Sequence, residues 1–228
     1  MSQRNSKVKI DELYDLSHTA AAEYLSGFVY PWEALRGIKD FILSLGKTLD
    51  RAEYDEISDG VWISRSAKIA PTAYIGSPCI IGHNTEVRHG AFIRGSALVG
   101  EGCVVGNSVE LKNCILFDGV QVPHYNYVGD SILGYKAHMG AGSITSNVKS
   151  DKTPVVIKNR ESGENFETGL KKCGAMLGDF VEVGCNSVLN PGTIIGRFSS
   201  VYPLSSVRGI IEDESIYKNP SDIVKRKH

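Results

Sequence analysis

Ile63 to Leu111 reads ISRSAKIAPTAYIGSPCIIGHNTEVRHGAFIRGSALVGEGCVVGNSVEL. An aliphatic residue recurs at every sixth position through this stretch: Ile63, Ile69, Ile75, Ile81, Val87, Ile93, Val99, Val105 and Leu111. Four places after the first eight stand Ala67, Ala73, Cys79, Thr85, Ala91, Ala97, Cys103 and Val109, nearly all small. The residue just after the aliphatic is usually small too, as at Ser64, Ala70, Gly76, Gly82, Gly100 and Gly106. A half-buried strand alternates by two and an amphipathic helix repeats near 3.6, so neither period explains a step of six. A hexapeptide repeat does.

Three such units make one triangular coil of about 18 residues. The aliphatic points into the prism, the small residue fits the corner, and backbone hydrogen bonds join successive coils. This pattern resembles the left-handed parallel β-helix family, an exception to the right-handed rule for parallel crossovers. The predicted fold is therefore mainly β, with the helix over residues 61–211. The phase slips by one after Leu111, continues as Leu116, Val122 and Val128, and slips again to Leu133 and Met139. It returns as Leu177, Val183, Leu189, Ile195, Val201 and Val207. Between these runs, residues 149–172 break the code with a polar, charged segment containing a strand-like VVIKN and a turn-like ESG. That segment predicts a hairpin projecting from a corner, a usual means of reaching a neighbouring subunit.

Residues 1–60 differ in kind. Ile38, Phe41, Ile42 and Leu45 fall at helical spacing after Pro31, and two helices are expected, roughly over Ser17–Leu25 and Trp32–Leu45. This N-terminal arm needs a surface to bury its apolar side, and the β-scaffold supplies one. Residues 212–228 predict a capping tail with a basic end.

Composition narrows the function. Lys and Arg number 25 against 26 Asp and Glu, so no basic excess favours a nucleic acid or a membrane surface. No apolar run approaches the ~18 residues of a membrane span, and MSQRNSKVKI lacks a signal peptide's core, which predicts a cytoplasmic protein. Five cysteines without C-x-x-C spacing fit reduced thiols, with Cys79 and Cys103 as small apolar fillers.

The densest polar stretch is Pro123–Asn147, PHYNYVGDSILGYKAHMGAGSITSN. Just before it, Arg94 and Lys112 each follow an inward aliphatic and stand 18 residues apart, one coil. Coils stack ~4.8 Å apart, so the two cations should be neighbours. Like charges repel unless an anion lies between them. Either Glu110 or Glu86 neutralises a surface pair, or the pair binds a phosphate. His124 and the Gly140-Ala141-Gly142 turn supply a general base and a backbone N–H for an oxyanion. No Ser or Cys nucleophile has an evident base beside it, so direct acyl transfer to an amine is the simpler chemistry.

The run from FIRG through VVGNSVELKN, VPHYNYVGDSILG and GAGSITSN resembles the acetyltransferase domain of the bacterial bifunctional glucosamine-1-phosphate acetyltransferase/N-acetylglucosamine-1-phosphate uridyltransferase family. It is also similar to the archaeal sugar-1-phosphate nucleotidyltransferases. The resemblance covers about residues 75–211 and is ungapped from Arg94 to Asn147. It implies an acetyl-CoA-dependent N-acetyltransferase acting on a phosphorylated amino sugar, assembled as a homotrimer with sites between subunits. By matching positions it implies phosphate binding by Arg94 and Lys112, a catalytic base at His124, an acid near it at Glu110, and an oxyanion donor at the Ala141 N–H. It implies sugar contacts at Tyr127 and Asn147, and a loop lysine at Lys152, or Lys158. Contacts to CoA would fall around Cys185, Tyr202 and Lys218.

The chain departs from the family where His138 replaces a sugar-contacting Asn and Val148 replaces a Tyr. No nucleotide-binding loop precedes the β-helix, so no pyrophosphorylase activity is expected. Two other readings share the fold. One is a zinc enzyme of the γ-carbonic-anhydrase kind, using imidazoles among His83, His89, His124 and His138. The other is a non-catalytic sugar-nucleotide-binding protein.

Overall fold

In a computed structural model of the chain, residues 6–159 and 162–226 are described. Glu161 of the ESG turn and Lys227 and His228 of the basic tail lie outside them. The chain winds as a left-handed parallel β-helix of triangular section. The first face stacks Val61–Ser64, Cys79–Ile81, Ala97–Val99, the ends of Glu110–Leu116 and Tyr127–Leu133, Ala175–Leu177, Thr193–Ile195 and Ile210–Ile211. The second stacks Lys68–Ile69, Glu86–Val87, Val104–Asn107, Gln121–His124, His138–Met139, Glu182–Val183, Ser200–Val201 and Ser215–Asn219. The third stacks Tyr74–Ile75, Phe92–Ile93, the starts of Glu110–Leu116 and Tyr127–Leu133, Ile144–Thr145, Val188–Leu189 and Ser206–Val207.

The six-residue code corresponds to one inward ladder per face. Ile75, Ile93, Leu111 and Val128 lie above one another on the third face. Ile81, Ile93, Val99, Val105 and Leu111 are all 0% exposed, whereas Ile69 and Ile75 stay half-buried because their strands end the stack. The phase slip is a change in coil length. Ile93 pairs with Leu111, 18 residues on, but Leu111 pairs with Val128, 17 on. Corners turn through left-handed backbone, often at Asn, Asp or Ser, such as Asn84, Ser96, Asn113 and Asp130. Four cysteines, at 79, 103, 114 and 173, are buried. Burial pushes the Cys103, Cys114 and Cys173 thiols up to about 12 and keeps them protonated.

The arm folds into shorter pieces than its periodicity predicts. Ile10–Leu13, Leu16–His18 and Ala22–Ser26 are about one turn each, Pro31–Arg36 is a 3₁₀ helix of two turns, and only Ile38–Gly46 makes a helix of nine residues. Gly27 and Gly37 end turns, and Pro31 opens one. Tertiary burial holds these pieces. Ile38 and Ile42, one helical turn apart, are 0% exposed where that helix packs on the first face.

The 149–172 excursion is an antiparallel hairpin, Val156–Lys158 with Asn165–Glu167. It folds back on its own chain rather than standing out from it. Val155 and Ile157 are buried. Phe166 packs against the Tyr30 and Trp32 rings at 5.6 and 5.9 Å, and Arg36 Nη2 donates to the Gly169 carbonyl at 2.8 Å. The apolar side of the hairpin finds its cover in the arm, which is why it does not project. At the other end, Ser215–Asn219 extends the second face and turns back through Asp222–Lys225. Among the described residues no helix is long and apolar enough to cross a membrane.

Candidate active site

Two corners flank the third face, and the residues singled out above divide between them. The corner from third face to first carries Arg94, Lys112, Asp130 and Asn147. Glu110–Leu116 and Tyr127–Leu133 are long because they run unbroken round this corner, bending at Asn113 and Asp130 with φ of 50° and 49°. Arg94 and Lys112 are neighbours in successive coils, joined by the Arg94 N–H to Leu111 carbonyl bond of 2.8 Å. They do not share one anion. Arg94 Nη1 donates to Glu110 Oε1 at 2.8 Å, which raises the guanidinium pKa through that bond and the carboxylate's charge. Lys112 Nζ donates to both oxygens of Asp130 at 3.0 Å. Glu86 is paired elsewhere, with Arg88 at 3.0 Å.

Tyr127 stands on the third face and leans over Gly129, where a Cβ would lie 2.4 Å from its hydroxyl. Its oxygen accepts a bond from Asn147 Nδ2 at 3.1 Å, and the same amide nitrogen donates to Asp130 Oδ2 at 2.5 Å. Partial burial raises the Tyr127 pKa, with Asp130 and Glu110 adding to it. The hydroxyl is therefore a neutral donor at physiological pH. The hairpin leaves the β-helix just beyond, its neck closed by the Cys173 N–H to Asn147 carbonyl bond at 2.9 Å.

The other edge of the face is the corner from second to third. His124 ends the strand Gln121–His124, is exposed, and pairs in register with Asn107. Among the described residues its ring has no hydrogen-bonding or ionic partner. Its carbonyl accepts the Gly142 N–H at 3.0 Å, so Ala141 lies one coil above it. The Asn186 N–H donates to the Ala141 carbonyl at 2.8 Å and the Leu204 N–H to the Cys185 carbonyl at 2.9 Å. His124, Ala141 and Cys185 thus form one vertical ladder, with exposed Tyr202 beside the next rung. Among the described residues no hydrogen bond uses the Ala141 N–H.

Asn126 locks this corner. It is 2% exposed and its Oδ1 accepts the His124 N–H at 3.1 Å. Its Nδ2 donates to the Gly140 carbonyl at 2.8 Å and the Ser143 carbonyl at 3.1 Å. The signal was in the sequence: Asn126 is four places after Val122, where the code otherwise puts a small residue. Asp130 had no such signal: the coil here is 17 residues, so the register neighbour of Lys112 is Gly129, and Asp130 stands one place beyond it.

The single chain does not gather every candidate into one cleft. His124 and the cations are at opposite edges of the third face, separated along the chain by about 15 Å. Glu110 turns to Arg94 and not to His124. His138 lies on the second face with its Nδ1 2.7 Å from Glu182 Oε2. Lys152 and Lys158 lie exposed on the hairpin segment, and Lys218 pairs with Asp222 at 3.1 Å. The imidazoles proposed for zinc are dispersed: His83 bonds Ser64 and Glu53, and His89 bonds Thr72. Among the described residues no three His, Cys, Asp or Glu are grouped to hold a metal ion.

The chain is similar to known proteins. A relative from Methanococcus maripaludis, "Bifunctional protein GlmU", is 31% identical over 207 residues, covering 90% of this chain and 50% of that protein. One from Sulfurisphaera tokodaii, "Bifunctional sugar-1-phosphate nucleotidylyltransferase/acetyltransferase", is 31% identical over 163 residues, 72% of this chain and 39% of that one. The chain spans half or less of the length of these curated relatives. Among solved structures, the acetyltransferase domain of PglB from Neisseria gonorrhoeae in complex with acetyl coenzyme A has a TM-score of 0.34 at 15% identity, over 72% of this chain and 56% of that one. The model of the GMPPB C-terminal domain matches residues 77–199. That match takes in more than half of the chain, which belongs to the GMPPB C-terminal domain family.

Proposed function

We propose that this protein is an acetyl-CoA-dependent N-acetyltransferase acting on an amino-sugar 1-phosphate of the glucosamine-1-phosphate kind. The observation that carries the reading is the His124–Ala141–Cys185 ladder at one edge of a face whose other edge holds Arg94, Lys112, Tyr127 and Asn147. The relatives named for sugar-1-phosphate chemistry and acetyl transfer support it.

In this mechanism the sugar is held at the cationic edge through its phosphate, and its amine meets the His124 edge of a neighbouring subunit, because the two edges of one chain are too far apart for one small sugar phosphate to span. His124 Nε2 or Nδ1 takes a proton as the amine nitrogen bonds to the thioester carbonyl carbon. The carbonyl oxygen, now carrying negative charge, is met by the Ala141 N–H. Collapse breaks the carbon–sulfur bond, and the imidazolium returns its proton to the leaving thiolate. The corner above Ala141 suits a long, thin co-substrate. It is built from small or exposed residues, with Cys185 and Tyr202 open to solvent.

The span of about 15 Å between the edges, together with exposed Tyr74 and Phe92 on the same face, supports a homotrimer in which a neighbour covers the face and closes the cleft. A protein of cytoplasmic location fits this reading. The test is thiol release from acetyl-CoA with a panel of amino-sugar 1-phosphates and nucleotide-linked amino sugars. Turnover with a 1-phosphate, lost in KM when Arg94 and Lys112 are both changed to Ala, is expected. Equal loss with the unphosphorylated amino sugar would remove the phosphate role, and stoichiometric zinc with no acetyl transfer would favour the carbonic-anhydrase reading.

A further inference from the structure

Asp130 is the most buried charged group at the cationic edge, with 6% of its side chain exposed against 26% for Lys112. Its two oxygens are saturated. Oδ1 accepts Lys112 at 3.0 Å and Asn113 Nδ2 at 2.9 Å; Oδ2 accepts Lys112 at 3.0 Å and Asn147 at 2.5 Å. With four hydrogen bonds from three donor groups on its two oxygens, it has no capacity left for a substrate proton. Asn113 Nδ2 also donates to the Leu35 carbonyl of the N-terminal arm at 3.1 Å, which ties the corner to the arm.

We infer that Asp130 is a positioning residue that sets the hydrogen-bond polarity of the substrate corner, with the N-terminal arm as its brace through Asn113. This rests on the amino-sugar phosphate reading. A carboxylate accepts only, so it forces Nδ2 of Asn147 inward and leaves Oδ1 outward. Among the described residues that Oδ1 has no donor. The inward Nδ2 also donates to Tyr127, so the Tyr127 hydroxyl must aim its own proton away from Asn147. Lys112, a flexible chain that would otherwise sample many rotamers, is pinned with one N–H left over. The corner therefore offers donors from Lys112 and Tyr127 and an acceptor from Asn147. That pattern fits a phosphate oxygen beside a sugar hydroxyl.

Asp130→Asn tests this, because Asn tolerates the left-handed backbone found at Asp130, so the variant is expected to fold. For glucosamine 1-phosphate, KM and the calorimetric Kd are expected to rise about tenfold with kcat within about twofold, the effect of releasing one charge-assisted contact. Labelling of the Lys112 amine by an amine-reactive reagent, read by mass spectrometry, should rise as well. Asn113→Gly keeps the backbone, cuts the link to the arm, and should raise KM about two- to threefold. A fall in KM would overturn the inference, since Asp130 would then compete with the phosphate. So would unchanged Lys112 labelling with parallel losses of kcat and thermal stability, the signature of a merely structural residue. If the wild-type protein neither binds nor acetylates glucosamine 1-phosphate, the substrate reading fails, while the labelling contrast still decides whether Asp130 pins Lys112.

Discussion

Replacing Asn126 by Ala should damage both the scaffold and the corner that carries His124, because one buried amide joins them. The change removes two well-formed donations, to the Gly140 and Ser143 carbonyls at 2.8 and 3.1 Å. It also strips the His124 N–H of its acceptor at 3.1 Å. The Gly140 carbonyl keeps a partner in Ser143 Oγ at 2.7 Å, so only the Ser143 carbonyl and the His124 N–H are left short. Two net hydrogen bonds at about 1 kcal/mol each, plus about 1–2 kcal/mol for the groups left unpaired, give a loss of about 3–4 kcal/mol. For a chain of this size that lowers the thermal midpoint by roughly 10 °C. Asn126→Asp sharpens the test, since a carboxylate would face carbonyl oxygens and must take up a proton to fit. Its folded pKa would be raised above the ordinary value of about 3.9, so its stability deficit should shrink as pH falls from 7 toward 4. Denaturant titrations of both variants at pH 7 and pH 4, with acetyl transfer alongside, read these effects. A loss below about 1 kcal/mol in the alanine variant, or an aspartate variant equally stable at both pH values, would refute the reasoning.

Gly106→Ala should abolish soluble expression, because its Cβ would lie 1.6 Å from the Pro123 carbonyl oxygen of the next coil. Gly102→Ala has nothing within 4 Å and only a φ of 60° to strain, so it should cost about 1–2 kcal/mol by urea titration. The link between Ser6 and Glu164 should weaken in acid: hydrogen bonds from Ser6 and Ser162 hold the Glu164 carboxyl below its ordinary 4.5. A depressed folded pKa stabilises above 4.5 and is lost as pH falls through the folded value, so protection of the Gly163 and Glu164 amides, taken relative to the intrinsic exchange rate at each pH, should fall below pH 4.5. Protection unchanged from pH 6 to 3 would contradict it.

The prism was legible because each inward position tolerates so little variation: Ile93, Val99, Val105 and Leu111 have no solvent-exposed area. Even the phase slip after Leu111 could be read as a shortened coil. The adjacency of Arg94 and Lys112 followed from the same step. What a linear code could not supply was the direction of side chains leaving the corners. Lys112 turns to Asp130, and Glu110 to Arg94, because a nearby opposite charge outcompetes water there. His138 follows the second face outward to Glu182, a partner 44 residues on, across the hairpin insertion. The helical apolar spacing of the arm predicts two helices, but Gly27, Pro31 and Gly37 divide it and packing on the first face holds the fragments.

The proposed acetyl transfer turns on one imidazole. Steady-state acetyl transfer by His124→Ala, measured beside its sedimentation profile and thermal midpoint, tests it most directly. Because the ring is exposed and has no partner among the described residues, the variant should keep its assembly and midpoint while kcat falls about 10²–10⁴-fold. A folded variant turning over within a few-fold of the wild-type rate would contradict the account.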